Sequence, residues 1–309
     1  MGEGEPDSPR QTSESALITE ALLHCRGVGR ARLGHLHDLG IRTWADAVDL
    51  VDQVPESYRS SLLEECSRCL DALQRRDVRY FVERLVPQDK WRIVAEFLDQ
   101  ASFFDIETSG LEYDAEITVI ACWHQGQLHT FVEHENLDDF LTLLDDITVI
   151  ASFNGSSFDV PRILDYFHIP ELPCPHIDLR WSCYHKGLIG RLESIAHQLG
   201  ISRPCDLQDI DGKIAVQLWQ RWRSQGDNNA RSKLIRYCAG DVLLLVMLAN
   251  RLASRRASRD AALWSQLPHE GNICMSRNEP IKVPHPHFHM PFGSASPSRM
   301  RGLRKSVTG

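Results

Sequence analysis

The chain has no long apolar run. None of its 309 residues falls in a stretch approaching the roughly 20 apolar residues of a membrane span, so no membrane role is expected. Its opening residues, Met1-Gly2-Glu3-Gly4-Glu5-Pro6-Asp7, are acidic and polar and do not read as a secretory signal. A paired cysteine framework is missing too. The nine cysteines are odd in number and scattered, which points to reduced thiols and a cytoplasmic protein. Nor is there an overall basic excess: the net charge of -8 gives no global sign of nucleic-acid binding. The charge is uneven, however. From Arg251 to Gly309 ten Lys and Arg stand against three Asp and Glu, a net of +7 that leaves -15 upstream. That basic end reads either as a solvated helix face and tail or as a contact to phosphates. What remains is ordinary for a globular protein, with 42% hydrophobic and 25% charged residues.

The stretch Ala101-Ser102-Phe103-Phe104-Asp105-Ile106-Glu107-Thr108 reads as a buried strand running into a turn. Strand side chains alternate, so Asp105 and Glu107 share a face. Two neighbouring carboxylates at the end of an apolar strand repel each other and resist burial. A divalent cation between them relieves both problems. Alone, Asp-x-Glu is a weak signal. Its weight depends on matching carboxylates elsewhere.

Two further constellations supply them. Ser152-Phe153-Asn154-Gly155-Ser156-Ser157-Phe158-Asp159-Val160-Pro161 reads as a strand end, a glycine turn and a helix start. Asp159 then lies in the first helical turn, either as an ordinary dipole-satisfying carboxylate or as a third acid facing Asp105. In Leu234 to Leu245 the apolar spacing is helical, and Tyr237 and Asp241 share one face. Gly240 inside that helix costs about 1 kcal/mol relative to alanine, which suggests close packing there. Asp178 reads equally as another acid near the site or as a strand-end cap. His176 and His197 read as structural.

Between these motifs, Ile117–Trp123 and Leu128–Glu133 read as strands joined at Gln125-Gly126. Leu137 to Leu144 reads as a helix and Ile147 to Phe153 as a central, parallel strand. The expected class is α/β, a mixed sheet flanked by helices with an antiparallel edge. Five segments are expected. Residues 1–14 are disordered, 15–76 form a small all-α domain, and 77–100 connect, with Pro87 as a break. Residues 101–252 form the α/β domain, and 253–309 a basic tail rich in Pro, His and Ser.

In the all-α part, Leu17 to Cys25 is apolar enough for a helix. Arg26-Gly27-Val28-Gly29-Arg30 follows, then a second helix to Leu39 with Gly40 as its stop. Thr43-Trp44-Ala45-Asp46 carries a helix-start signature. Residues Leu17 to Leu50 resemble the helix-hairpin-helix family. Such modules hold DNA phosphates on exposed backbone N–H groups, here at Gly27, Val28, Gly29 and Arg30. The plain alternative is a short interhelical turn. Cys66 and Cys69, a CxxC on the next helix, have no second pair nearby and read as packed thiols rather than zinc ligands.

The ordered set Asp105-Ile-Glu107-Thr108, Phe153-Asn154-Gly155 with Asp159, and Tyr237-x-x-x-Asp241 resembles the DEDD exonuclease superfamily in its tyrosine branch. More closely, it resembles the YprB-like ribonuclease H-like exonuclease family. The Phe-Asn-Gly-x-x-Phe-Asp-x-Pro run, His176-Ile-Asp178-Leu, Leu192 to Gly200 and Asp241-Val-Leu-x-Leu carry that match, over Phe103 to Arg251. The resemblance implies a ribonuclease H-like fold and 3′→5′ hydrolysis of phosphodiesters with two Mg²⁺ or Mn²⁺ ions. It implies that Asp105 bridges both ions, that Glu107 and Asp241 serve one and Asp159 the other, and that Tyr237 orients the water. Thr108, Leu111 and Asn154 would touch the nucleic acid, with Leu111 packing on a base. The partner would be nucleic acid, DNA rather than RNA. The competing reading is a nucleic-acid-binding adaptor whose nuclease fold is weak or inactive.

Overall fold

The computed structural model describes residues 16–112, 114–253 and 260–269. The chain divides into two units, Met1–Ile273 and Cys274–Gly309, and the second lies outside the described residues. Several expectations also lie outside them: disorder over 1–14, the basic run at Arg255, Arg256 and Arg259, the His/Pro stretch Pro284–His289, and the basic end Arg299–Lys305.

Among the described residues, six α-helices precede the sheet: α1 Ala16–Thr19, α2 Arg30–Asp38, α3 Trp44–Asp49, α4 Glu56–Gln74, α5 Val78–Arg84 and α6 Lys90–Glu96. The reasons are local. Thr43 and Asp46 form a reciprocal capping box on α3, with bonds of 3.1 and 2.8 Å. Gly40, at φ +81, ends α2 in a Schellman arrangement in which Ile41 N–H reaches the Leu36 carbonyl at 2.9 Å. The expected helix over Leu17 to Cys25 stops at Thr19. Beyond it run i→i+3 turns, with Ala21, Cys25 and Val28 N–H each bonded three residues back. The indole N–H of Trp44 takes the Ala21 carbonyl within these turns, at 2.7 Å.

Residues 77–100, expected to connect, instead build α5 and α6 around a short 3₁₀ turn at Pro87–Asp89. Aromatic burial drives this. Trp44 stacks on Phe81 at 5.6 Å, and Phe81 lies 5.8 Å from Phe97.

One mixed sheet follows, formed by β1 Ala101–Thr108, β2 Ile117–His124, β3 Gln127–Val132, β4 Val149–Ser152 and β5 His176–Asp178. Its order is β3-β2-β1-β4-β5. β1 pairs antiparallel with β2, and β2 with β3, while β1–β4 and β4–β5 are parallel. Gln125 at φ 48 and Gly126 at φ 81 make the tight turn between β2 and β3. The parallel steps need helical crossovers. These are α7 Asp139–Asp145 and α8 Asp159–Tyr166, with α9 Leu179–His185, α10 Leu192–Gln198, α11 Gly212–Gln225 and α12 Asn228–Leu252 covering the rest. The expected mixed sheet flanked by helices, with an antiparallel edge, is what forms, preceded by a helical region.

The 25-residue α12 packs on β1 and β2 and is buried along nearly its whole length from Leu234 to Leu252. Cys238 touches the β1 backbone, its thiol donating to the Asp105 carbonyl at 3.4 Å. Near its middle, a Cβ on Gly240 would come within 3.0 Å of Leu207. The expected tail contains a packed helix, α13 Asp260–Trp264, whose Leu263 is buried, as is Leu267 beyond it. No described helix is long and apolar enough to cross a membrane.

Candidate active site

The C-terminal half of β1, the first turn of α8 and the middle of α12 meet at one cavity of about 190 Å³. Asp105, Glu107, Thr108, Leu111, Asn154, Asp159, Tyr237 and Asp241 all line it. Alternation along β1 sends Asp105 and Glu107 to the same side, toward α12. Asp159, 3% exposed, accepts the β1 Ile106 N–H at 3.2 Å. Asp241 is 6% and Tyr237 5% exposed. Thr108 donates to the Gly110 carbonyl at 2.7 Å, folding the turn that presents Leu111 to solvent.

The loop after β4 is tightly held. Asn154 sits at φ 66, in the left-handed region. A Cβ on Gly155 would strike Ser152, so only glycine fits there. Asp178 is the strand-end cap rather than a further acid of the pocket. Its carboxylate accepts N–H groups of Asn154 at 2.8 Å, Ser156 at 3.1 Å and Arg180 at 3.0 Å. His176 is structural too, 2.8 Å from the Ser152 hydroxyl, with burial pushing its pKa down to about 4.

Burial raises every carboxylate of the pocket, and repulsion by the neighbouring pocket acids adds to it at Asp105 and Glu107. Burial is the larger cause for Asp105 and Glu107, followed by the neighbouring acids, and both lie well above the ordinary range. Asp159 is pushed up to about 7 by burial, against the pull of the Ile106 N–H. Asp241 is pushed to about 6, again by burial, and Arg203 opposes the shift. Tyr237 is driven far above a phenol's usual value by burial, then by Asp241 and Glu107, so it stays protonated.

Sequence reasoning did not single out Arg203. It stands in the irregular stretch between α10 and α11, where no periodicity marks it. The side chain is 5% exposed and bonds Asp241, Glu193 at 3.1 Å and the Ile210 carbonyl at 3.2 Å. Its guanidinium also lies 4.8 Å from the Tyr237 ring centre. One guanidinium does not balance four carboxylates.

That surplus, in an all-oxygen donor set, suits hard divalent cations such as Mg²⁺ or Mn²⁺. One ligand atom each of Asp105, Glu107 and Cys238 lie within 4.8 Å of one another. Burial and the adjacent acids push the Cys238 thiol far up, so it stays neutral and makes a poor ligand. The carboxylates are the better donors.

Gly27, Val28, Gly29 and Arg30 do not line this cavity. The first three form the turn before α2 and Arg30 is its first residue, with Gly27 at φ +86 and Arg30 exposed. Val28 is 5% exposed and its N–H is taken by Cys25 at 2.9 Å, so it offers a ligand neither side chain nor donor.

Residues 102–253 match the family model RNase_H_2, described as the RNase_H superfamily. No curated protein matches the chain. Among solved structures, a family B DNA polymerase from the hyperthermophilic archaeon Pyrobaculum calidifontis is similar at 15% identity and a TM-score of 0.39. That similarity covers 53% of this chain and only 28% of the polymerase. With its five-stranded mixed sheet and flanking helices, this part of the chain has a ribonuclease H-like fold.

Proposed function

We propose that the protein is a metal-dependent exonuclease of the DEDD type that hydrolyses phosphodiester bonds of nucleic acid, 3′→5′ and on DNA. The observation that carries this reading is the convergence of Asp105, Glu107, Asp159 and Asp241 in one cavity with too little positive charge to offset them. These four would hold two Mg²⁺ or Mn²⁺ ions. When bound, such a pair supplies an activated water and neutralises charge developing on the attacking and leaving oxygens.

The chain's own groups do the rest. Tyr237 keeps its proton, so its hydroxyl serves to position a water by hydrogen bonding and does not act as a base. Arg203 restrains Asp241 and lies against the Tyr237 ring, fixing the angle between them. Leu111, exposed at the cavity mouth, offers an apolar face to a terminal base, and Thr108 shapes its turn. Asn154, held in the left-handed region, adds a polar edge. In the helical region, Gly27 and Gly29 ahead of α2 and Arg30 at its start would hold backbone phosphates of DNA in the helix-hairpin-helix manner.

The test is cleavage of 3′-labelled and 5′-labelled single-stranded and duplex DNA and RNA with Mg²⁺ or Mn²⁺, beside an Asp105→Ala/Glu107→Ala variant. Release of labelled mononucleotide from the 3′ end, lost in the variant, is expected. Undiminished cleavage by the variant would falsify the assignment. Binding without cleavage would move the protein to the adaptor class.

A further inference from the structure

A larger cavity, of about 790 Å³, adjoins the carboxylate pocket and shares Phe153 and Asn154 with it. Arg180, Trp181, Tyr184 and Arg191 are among its walls. Among the described residues, four large hydrophobic side chains are strongly exposed: Leu111 at 62%, Trp181 at 51%, Tyr184 at 53% and Ile189 at 69%. Scattered singly, such residues would need no explanation. Here Trp181, Tyr184 and Ile189 line the larger cavity and Leu111 lines the pocket beside it. Among the described residues, the conspicuous exposed apolar side chains are therefore gathered in two adjoining cavities, one of which holds the carboxylates.

The two aromatic rings are firmly placed. They sit three residues apart on α9, whose Leu179, Ser182 and Cys183 are buried and whose N-terminus is capped by Asp178. Their centroids are 6.1 Å apart at an interplanar angle of 80°. Arg180 reaches across to the Asn154 side-chain oxygen, at the junction of the two cavities. Arg191 is exposed in the same groove.

We infer that this groove binds single-stranded nucleic acid, with unpaired bases stacked on Trp181 and Tyr184 and backbone phosphates held by Arg180 and Arg191. The inference rests on the nuclease reading and adds strandedness to it. Aromatic platforms beside basic side chains suit a single strand, because every base has a face to stack and the phosphates carry the charge. A duplex keeps its base faces within its own stack and has none to offer Trp181 or Tyr184. The basic rim also answers a difficulty, since the carboxylates alone would repel a polyanion from the pocket.

The experiment uses the full chain in the Asp105→Ala/Glu107→Ala background, with Mg²⁺, so that the probe is not consumed. Fluorescence anisotropy is read with labelled dT12 and U12, and with each probe annealed to its complement. Single strands should bind more tightly than duplexes. Trp181→Ala/Tyr184→Ala should weaken single-strand binding about tenfold or more, and Trp181→Phe/Tyr184→Phe should retain it. Arg180→Gln/Arg191→Gln should flatten the salt dependence by about 0.7 in log-log slope for each phosphate that is no longer neutralised. Duplex preference, or alanine variants that bind like the parent, would overturn the inference. Cleavage by the unsubstituted protein is scored separately. A groove that binds in a protein that does not cleave would fell the nuclease reading alone, and the reverse would fell the groove alone.

Discussion

Two regions of this molecule bury ionisable side chains in clusters, and they do so in opposite ways. In the helical region Cys25, Cys66 and Cys69 are buried beside His24, whose ring nitrogen lies 3.1 Å from the Cys69 sulfur and 3.8 Å from that of Cys25. Burial pushes the Cys69 thiol up to about 12, so it is neutral and packs as a small apolar group. The carboxylate pocket takes the other course. Its acids ordinarily ionise far below neutrality, so burying four together leaves either trapped protons or unbalanced charge. The thiol cluster fits a role in packing. The acid cluster opposes folding unless something outside the chain completes it, and that opposition is what marks a site.

The sharpest break of this comparison is Asp105→Ala/Glu107→Ala. Losing several kcal/mol of transition-state stabilisation, at about 1.4 kcal/mol per tenfold, should lower metal-dependent cleavage by about a thousandfold or more. The same variant should melt no lower than the parent without metal, because it removes two repelling acids. A variant that loses activity only by unfolding would appear as a clear drop in the melting temperature, and would remove the contrast.

Arg203→Met should have the next largest effect, and in the opposite sense. It strands Asp241, whose side chain is 9% exposed, without its cation. Breaking a buried pair from one side costs about 3–5 kcal/mol, a fall in melting temperature on the order of 10 °C. The deficit should shrink near pH 5, where Asp241 takes up a proton and no longer needs the partner. A deficit that does not change with pH would show that Arg203 acts through packing alone.

The pH dependence of the metal-free protein should run opposite to that of an ordinary salt-bridged protein. Unfolded carboxylates titrate near pH 4. In the folded chain Asp241 and Asp159 titrate near 6 and 7. Between those limits the folded state holds more protons than the unfolded one, so stability falls as pH rises and stays low above pH 7. Melting in EDTA from pH 4 to 8 should show this decline, and Asp159→Asn should flatten it. Added Mn²⁺ should raise the melting temperature most at the alkaline end. A melting temperature in EDTA that climbs through this range, for parent and Asp159→Asn alike, would contradict the shifts.

Much of the fold is written in local chemistry. The alternation at Asp105 and Glu107, the Gln125-Gly126 turn, the Thr43–Asp46 capping box and the glycine stop at Gly40 each need only a few neighbouring residues. The long-range partners were hidden for the same reason. The expected Leu17–Cys25 helix ends at Thr19, and the turns that replace it give the Ala21 carbonyl to Trp44, more than twenty residues away in sequence. Asp178 could not be resolved between acid and cap until Asn154, Ser156 and Arg180 were seen to converge on it. At the candidate site the acids lie in patterned strands and helices. Arg203 and the exposed face of α9 lie where pattern gives no guidance, so the groups that would balance charge and meet substrate are the ones that sequence spacing leaves unread.

The smallest expected effect belongs to the thiol cluster, and it completes the comparison. Among the described residues, donor atoms gather within 4.8 Å at Asp105, Glu107 and Cys238, and not at Cys25, Cys66, Cys69 and His24. If those thiols only fill space, Cys66→Ala should cost about 1 kcal/mol, as modest core truncations do. Zinc chelation should leave the melting temperature unchanged, and the purified protein should carry no stoichiometric zinc by elemental analysis. EDTA should therefore abolish the chemistry of one region while the other melts as before. A chelator that unfolds the helical region would instead make the cysteines ligands, and both clusters would then be metal sites that differ only in the softness of their donors.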